Sequence, residues 1–399
     1  MKKLILLLSL LLMNVCIAQP PENLFNNSVG VNNNKPSSQE ENEEENELDG
    51  YLLDSSRKEA FKENKIRVRS DKKISKSING STSPSIQTSQ SIQSSQIIEG
   101  EFRKSKMQLD SRMVKPESQK RMESELDKLA EENKASFEYH LYNYTLGNYD
   151  IKREESLNQA EQIKPNDQRL IVQKVANECV QGDTLSTKLY LQKLINTNAL
   201  ETETLDYAED VLISSRGNDI LITHGTSDTY GVLYHQLHTP KYSSDDVLVI
   251  SLDFLRSPYY RKLLSGKGLE LPTSSTINTD YFKEFCTLNS DKKIAVSLTL
   301  PIDYLRRIAS FATPYGLVLV TGNQKALCLS DLETLWNEQL NKRNLTSHSS
   351  FLSKNYARNY KPSQQLLERF YEQQKTSPYI SSPKKLKPHK SKAVTSGKN

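Results

Sequence analysis

At Gly217 the apolar pattern of the chain changes period, and that change limits the folds open to it. Before it, apolar residues recur at helical spacing: Leu157, Ala160 and Ile163; Leu170, Ile171, Val175 and Cys179; Leu185, Leu189 and Ile195; Leu205, Ala208, Val211 and Leu212. Each set predicts an amphipathic helix with one buried stripe. After it come short continuous apolar runs at 219–225 (DILITHG), 247–252 (VLVISL), 294–301 (IAVSLTLP) and 316–322 (GLVLVTG), with helical stretches at 228–238 and 302–312 between them. Continuous rather than alternating apolar strands are what a parallel sheet covered on both faces demands. The expected class is therefore α plus α/β: helix-turn-helix repeats, then a small α/β domain whose sheet is mostly parallel.

Within the helical part, Gly147, Gly182 and Gly217 fall at a constant spacing of 35, a period typical of helical solenoids. The phrase YTLGNYD, followed by Ala160 and by Pro165-Asn166, resembles the tetratricopeptide repeat over residues 137 to about 213. Asn143 stands where that repeat usually has Trp, and the Pro comes early.

The ends of the chain read differently. Lys2 and Lys3, then the apolar run 4–12, then Cys16-Ile17-Ala18, form the three regions of a secretory signal peptide, with cleavage expected after Ala18. That run is about half the ~20 residues needed to cross a bilayer. Residues 19–105 are rich in Asn, Ser, Gln, Glu and Lys, including the acidic block EENEEENELD at 40–49 and the polar tract at 83–96. Such a composition buries too little apolar surface to offset the entropy of ordering, so a disordered arm is expected, its charge block a solvated spacer. With 36% hydrophobic residues and a mean hydropathy of −0.65, part of the 399-residue chain has to lie outside any core. Order is expected from Pro116, where PES opens a helix with Pro in the first turn. The expected layout is a leader at 1–18, the arm at 19–105, helical repeats at 106–216, the α/β domain at 217–325, two helices within 326–376, and a basic tail at 377–399.

Candidate chemistry concentrates in one loop. His224, Gly225, Thr226, Ser227, Asp228, Thr229 and Tyr230 follow the first strand, and ligands of open parallel sheets sit beyond the carboxyl ends of strands. Gly225 permits close backbone approach, and Asp228 or Thr229 would cap the next helix, whose free N–H groups attract anions. A glycine with an Asp/Thr cap is also simply how a strand turns into a helix. Ser227 lacks the G-x-S-x-G elbow of a strained nucleophile. His224, His235 and His238 invite a metal, the last two lying three apart on the helix, but no carboxylate cluster accompanies them, so no metal is expected. Asp253 and Asp303 each follow a strand, where helix capping explains them. No Gly-rich phosphate fingerprint occurs, and no cofactor is expected. Cys179, Cys286 and Cys328 have neither zinc-site nor disulfide-framework spacing; one bridge is possible, and each is otherwise expected as a buried thiol. A net charge of +4 is too small for a nucleic-acid reading.

The strings DILITHGTSDTYGVLYHQ, DVLVISLDFLRSPYYRKLL and KKIAVSLTLPIDYL are similar to the soluble C-terminal region of multi-pass membrane proteins in the protein O-mannosyltransferase-like family of the Bacteroidetes. Asp228, Thr229, Tyr230, Tyr234, Gln236, Asp246, Val247 and Tyr260 fall on the positions that carry the likeness, over about 205–320. Thr226 replaces an Asp, and the membrane helices are missing from this chain. The resemblance implies an extracytoplasmic accessory fold in a Gram-negative host, without the transferase activity of the membrane part. Together these readings lead to an exported interaction or scaffold protein of the cell envelope, with an envelope protein as partner and at most peripheral membrane contact. The alternative is a glycan-directed enzyme or carbohydrate-binding module using the loop at 223–231.

Overall fold

The computed structural model describes residues 85–106, 116–243, 246–322, 328–347 and 350–376. The expected leader, most of the expected arm and the basic tail lie outside the described residues. The fold is mostly helical, with one small mixed sheet.

The first surprise is α1, Ser85–Lys106, which occupies the end of the stretch expected to be disordered. It packs on α2, Pro116–Asn133, the helix that opens at the expected proline. Ile98 is fully buried against Met122 and Leu129 of α2 and Tyr142 of the following helix. The polar tract is matched as well: Ser94 Oγ donates to Glu125 (2.8 Å), and Tyr142 Oη donates to Glu99 (2.8 Å). Average composition missed this because one apolar side chain per few turns suffices when a neighbouring helix supplies the rest of the cover.

Next come α3, Phe137–Thr145, α4, Glu154–Ile163, α5, Gln168–Gln181, α6, Thr184–Asn196, and α7, Thr202–Ser214. α3 packs on α4, and α5 on α6. The three equally spaced glycines mark the ends of alternate helices α3, α5 and α7. Gly182 ends α5 in the left-handed conformation (φ 77°), with its N–H bonded back to Cys179 O and Glu178 O, a position where a side chain would be strained. Beyond Gly217 the chain enters a strand instead of another helix.

The strands are β1, Ile220–Thr223, β2, Leu248–Ser251, β3, Lys293–Ser297, β4, Thr313–Tyr315, and β5, Val318–Gly322, ordered β2-β1-β3-β5-β4. The expected βαβ unit is present: α8, Gly225–His238, joins β1 to a parallel β2, with Ile220 opposite Leu248. β3 also runs parallel to β1, reached through α9, Pro258–Gly266, and α10, Thr279–Leu288. The second half of the sheet overturns the mostly parallel expectation. After α11, Ile302–Ile308, the chain forms β4, turns at Gly316 and returns as β5, which lies antiparallel to both β3 and β4. The run GLVLVTG is thus the return arm of a hairpin. Gly316 (φ 62°) makes the reversal possible: an added Cβ would sit 2.2 Å from Ser214 Oγ. A parallel connection needs a crossover of a dozen or more residues, and none fits between β4 and β5.

Alternation along the strands gives the sheet two covered faces. Ile220, Ile222, Ile294 and Val296 join a core with Phe282 and Tyr304, and this same core takes in Val175, Leu191 and Leu194 of α5 and α6. Leu221, Ala295, Val318 and Val320 face the other way, onto Tyr207 and Val211 of α7 and Val232 of α8. The C-terminal helices α12, Leu329–Thr334, α13, Arg343–Thr346, α14, Phe351–Arg358, and α15, Lys361–Thr376, complete that side. They hold α7 by polar bonds: the fully buried Asp210 accepts from Asn341 N and Lys342 N (2.8 Å each) and from Tyr360 Oη (2.7 Å). Tyr207 stacks on Tyr356 with centroids 4.3 Å apart.

Candidate functional site

The loop after β1 lies where an open parallel sheet usually receives a ligand, between β1 and β3, where the connections leave in opposite directions. α8 begins at Gly225, three residues before the expected cap, with His224 at the N-cap and no side-chain capping bond from it. Asp228, inside the first turns, reaches back so that its Oδ2 accepts from His224 N at 3.0 Å. The same carboxylate accepts from Thr299 Oγ1 (2.7 Å) and Ser297 Oγ (3.2 Å), which ties the start of α8 to the end of β3. Asp253, beyond β2, accepts from Gly225 N at 3.2 Å. Two free N–H groups at this helix end are therefore already matched by carboxylates of the chain itself, and an outside anion would meet negative charge there.

Beneath this lies a buried hydroxyl chain: Thr223 Oγ1 and Thr229 Oγ1 are 2.9 Å apart, and Thr229 Oγ1 donates to Ser251 Oγ at 3.2 Å. Tyr230 points away from the loop and donates to Val172 O of α5 (2.8 Å), and burial pushes its phenol well above the usual range. Of the seven residues, Thr226 and Ser227 alone keep partial exposure. The structure thus brings His224, Gly225 and Asp228 into one cluster with Asp253, Ser297 and Thr299, while Tyr230 serves the junction with the helical layer. Ser297 and Thr299 escaped the sequence reading. Their signal was two hydroxyl residues at the end of the otherwise apolar run IAVSLTLP.

Of the histidines that invite a metal, His235 and His238 are turned to backbone carbonyls. His235 Nε2 lies 2.9 Å from Leu205 O, and His238 Nδ1 lies 3.2 Å from Tyr234 O. Burial holds the His235 pKa below its ordinary value, so the neutral ring is favoured at neutral pH. Cys179, Cys286 and Cys328 are free thiols; burial pushes the first two up to about 12, while Cys328 at the start of α12 lies lower than usual, held by its bonds to Ser330.

A second feature lies on α6. The sequence pattern places Leu185, Leu189 and Ile195 on a buried stripe; Ile195 packs half-buried against the core, but the helix buries Thr187, Leu191 and Leu194 in place of Leu185 and Leu189. Leu185 is 82% exposed and Leu189 56%, the two most exposed large apolar side chains among the described residues. They stand four apart, so they are neighbours on one face, with the exposed Lys188 between them. α6 has apolar residues enough for two faces, and the chain covers one. The inner face is pinned further: Lys174 of α5, buried, pairs with Glu161 of α4 at 2.8 Å, and Glu161 also accepts from Tyr190 of α6 at 2.8 Å.

Among the described residues no helix is long and apolar enough to cross a membrane. No family model, curated protein or solved structure matches this chain.

Proposed function

We propose that this chain is an exported interaction or scaffold protein of the bacterial cell envelope, in which the tetratricopeptide-like region α3–α6 docks a protein partner through the outer face of α6. One observation carries this reading: Leu185 and Leu189, side by side and open to water, on a helix whose opposite face is locked into the core. Contiguous apolar exposure on an otherwise polar surface marks interaction sites, and helical arrays suit protein ligands. The loop at 223–231 supports the reading from the other side. Asp228 is 5% exposed and has three donors of its own chain, which fits a structural junction better than a glycan-binding or catalytic carboxylate. Export rests on the leader at 1–18 and on the resemblance of the α/β part to extracytoplasmic modules. It predicts a mature N-terminus at Gln19, read by N-terminal sequencing of the envelope fraction.

The docking test is site-specific photocrosslinking in the full chain, in envelope preparations. A photoreactive residue at position 185 or 189 is expected to yield one discrete protein adduct that is lost when Lys188→Glu is added. The same residue at Phe311, also exposed (42%), is expected to yield none. Equal adducts at all three positions, or none at 185 and 189, would remove the proposal.

A further inference from the structure

Resting on that docking reading, we infer that the α6 face is regulated by the chain's own N-terminal arm: residues 40–54, EENEEENELDGYLLD, occupy it and compete with the partner. Three observations converge. α6, TLSTKLYLQKLIN, contains two lysines and no acid, and Lys188 lies exposed between the open leucines. The one acid beside it, Asp183 at the N-cap, is held by Ser186, accepting from its N at 3.0 Å and its Oγ at 2.8 Å. The arm segment has the complementary chemistry. Glu40, Glu41, Glu43, Glu44, Glu45, Glu47 and Asp49 lead into Tyr51-Leu52-Leu53, the sole run of three apolar residues between positions 19 and 84, and no Lys or Arg occurs from 40 to 56. An acidic flank would meet Lys188 while the apolar triplet covers Leu185 and Leu189, removing from water the surface that the fold leaves open.

Reach permits it. Residues 55–84 connect the segment to α1, and at about 3.3 Å per residue a chain of that length extends to roughly 100 Å, with a typical end-to-end distance of about 30 Å. A tether of this kind gives an effective concentration on the order of 1 mM. A segment with an intrinsic Kd of about 0.1 mM would then occupy the face about nine-tenths of the time and lower the partner's apparent affinity about tenfold.

The experiment uses the purified mature chain at high dilution, with the photoreactive residue at 189 and peptide mapping by mass spectrometry. The expected result is an intramolecular adduct to a peptide within residues 36–57, reduced at least fivefold by Tyr51→Ser/Leu52→Ser/Leu53→Ser and by 0.5 M salt. An adduct yield unchanged by the serine variant, or no adduct from that peptide, overturns the inference. A second arm separates it from the docking reading: the chain lacking residues 40–54, returned to envelope preparations, is expected to give about tenfold more partner adduct at position 189 at limiting partner. Partner adduct unchanged by the deletion leaves docking standing and removes self-occupancy. A self-adduct with no partner adduct in either chain leaves self-occupancy standing and removes the partner.

Discussion

The loop after β1 and the outer face of α6 are opposites. The loop is polar, sits where ligands usually bind, and is largely paired with itself: two carboxylates accept from two N–H groups at the start of α8 and from two hydroxyls, and three more hydroxyls form the buried chain beneath. The α6 face is apolar, sits where nothing in the topology points to a site, and is left incomplete, with Leu185 and Leu189 in water. The contrast teaches that a feature's position in a fold is weaker evidence of binding than whether its chemistry is already satisfied. Polar groups that have found partners inside the chain resist exchange for a ligand, because each bond given up costs the desolvation of a buried group. Apolar surface in water has the reverse tendency and gains by any cover.

The sharpest break of this comparison is across α6 itself. Leu191→Ala, on the inner face, should destabilise by about 3 kcal/mol in denaturant melts, because it opens a cavity in the core shared with the sheet. A loss under about 1 kcal/mol would mean that α6 is not locked to the core. For the loop, Asp228→Ala should cost about 3 kcal/mol, leaving a buried backbone N–H and two hydroxyls without their acceptor. If stability hardly moves while a glycan-directed activity disappears, the loop is a working site and the contrast fails.

A smaller effect concerns pH. Burial pushes the Glu161 carboxyl up, but the bonds from Lys174 and Tyr190 and the charges of Lys174 and Lys193 outweigh it and hold its pKa below the ordinary 4.5. A depressed folded-state pKa means that its contribution is present above about pH 5 and is lost as pH falls through the folded value. Lys174→Met should flatten that part of an acid-unfolding curve, measured against the unaltered chain. Glu178, one helix along, is shifted the other way, chiefly by burial, so its sign is reversed and stability from it grows as pH falls. The smallest effect expected is that of Leu185→Ser/Leu189→Ser in the chain lacking residues 40–54, under about 0.5 kcal/mol. A larger loss would show that these leucines are packed in solution and that the face is not open.

Much of this was legible along the chain, because it depends on near neighbours. The change of period at Gly217, the βαβ unit from β1 to β2, the helix opening at Pro116 and the ends of α3, α5 and α7 at the three glycines follow from side-chain spacing and local backbone freedom. The candidate residues do follow β1, but only His224 stands between strand and helix: Gly225 to Tyr230 form the first turns of α8, and Asp228 acts from inside the helix rather than as its cap. What escaped required a partner distant in sequence. Residues 85–106 look too polar to fold until α2 and Tyr142 stand beside Ile98. GLVLVTG reads as a parallel strand until the turn at Gly316, where any side chain would collide with Ser214 of α7, reverses it beside β3.

The sequence by itself determined where helices give way to strands and which loop follows the first strand, since apolar period and turn residues act over a few positions. Tertiary structure alone decided that the sheet is mixed, that Asp228 is saturated, and that Leu185 and Leu189 face water while Leu191 and Leu194 do not. The reason is physical. A helix with apolar residues on two faces carries no mark of which face will be covered, and that choice belongs to the elements that arrive from elsewhere in the chain.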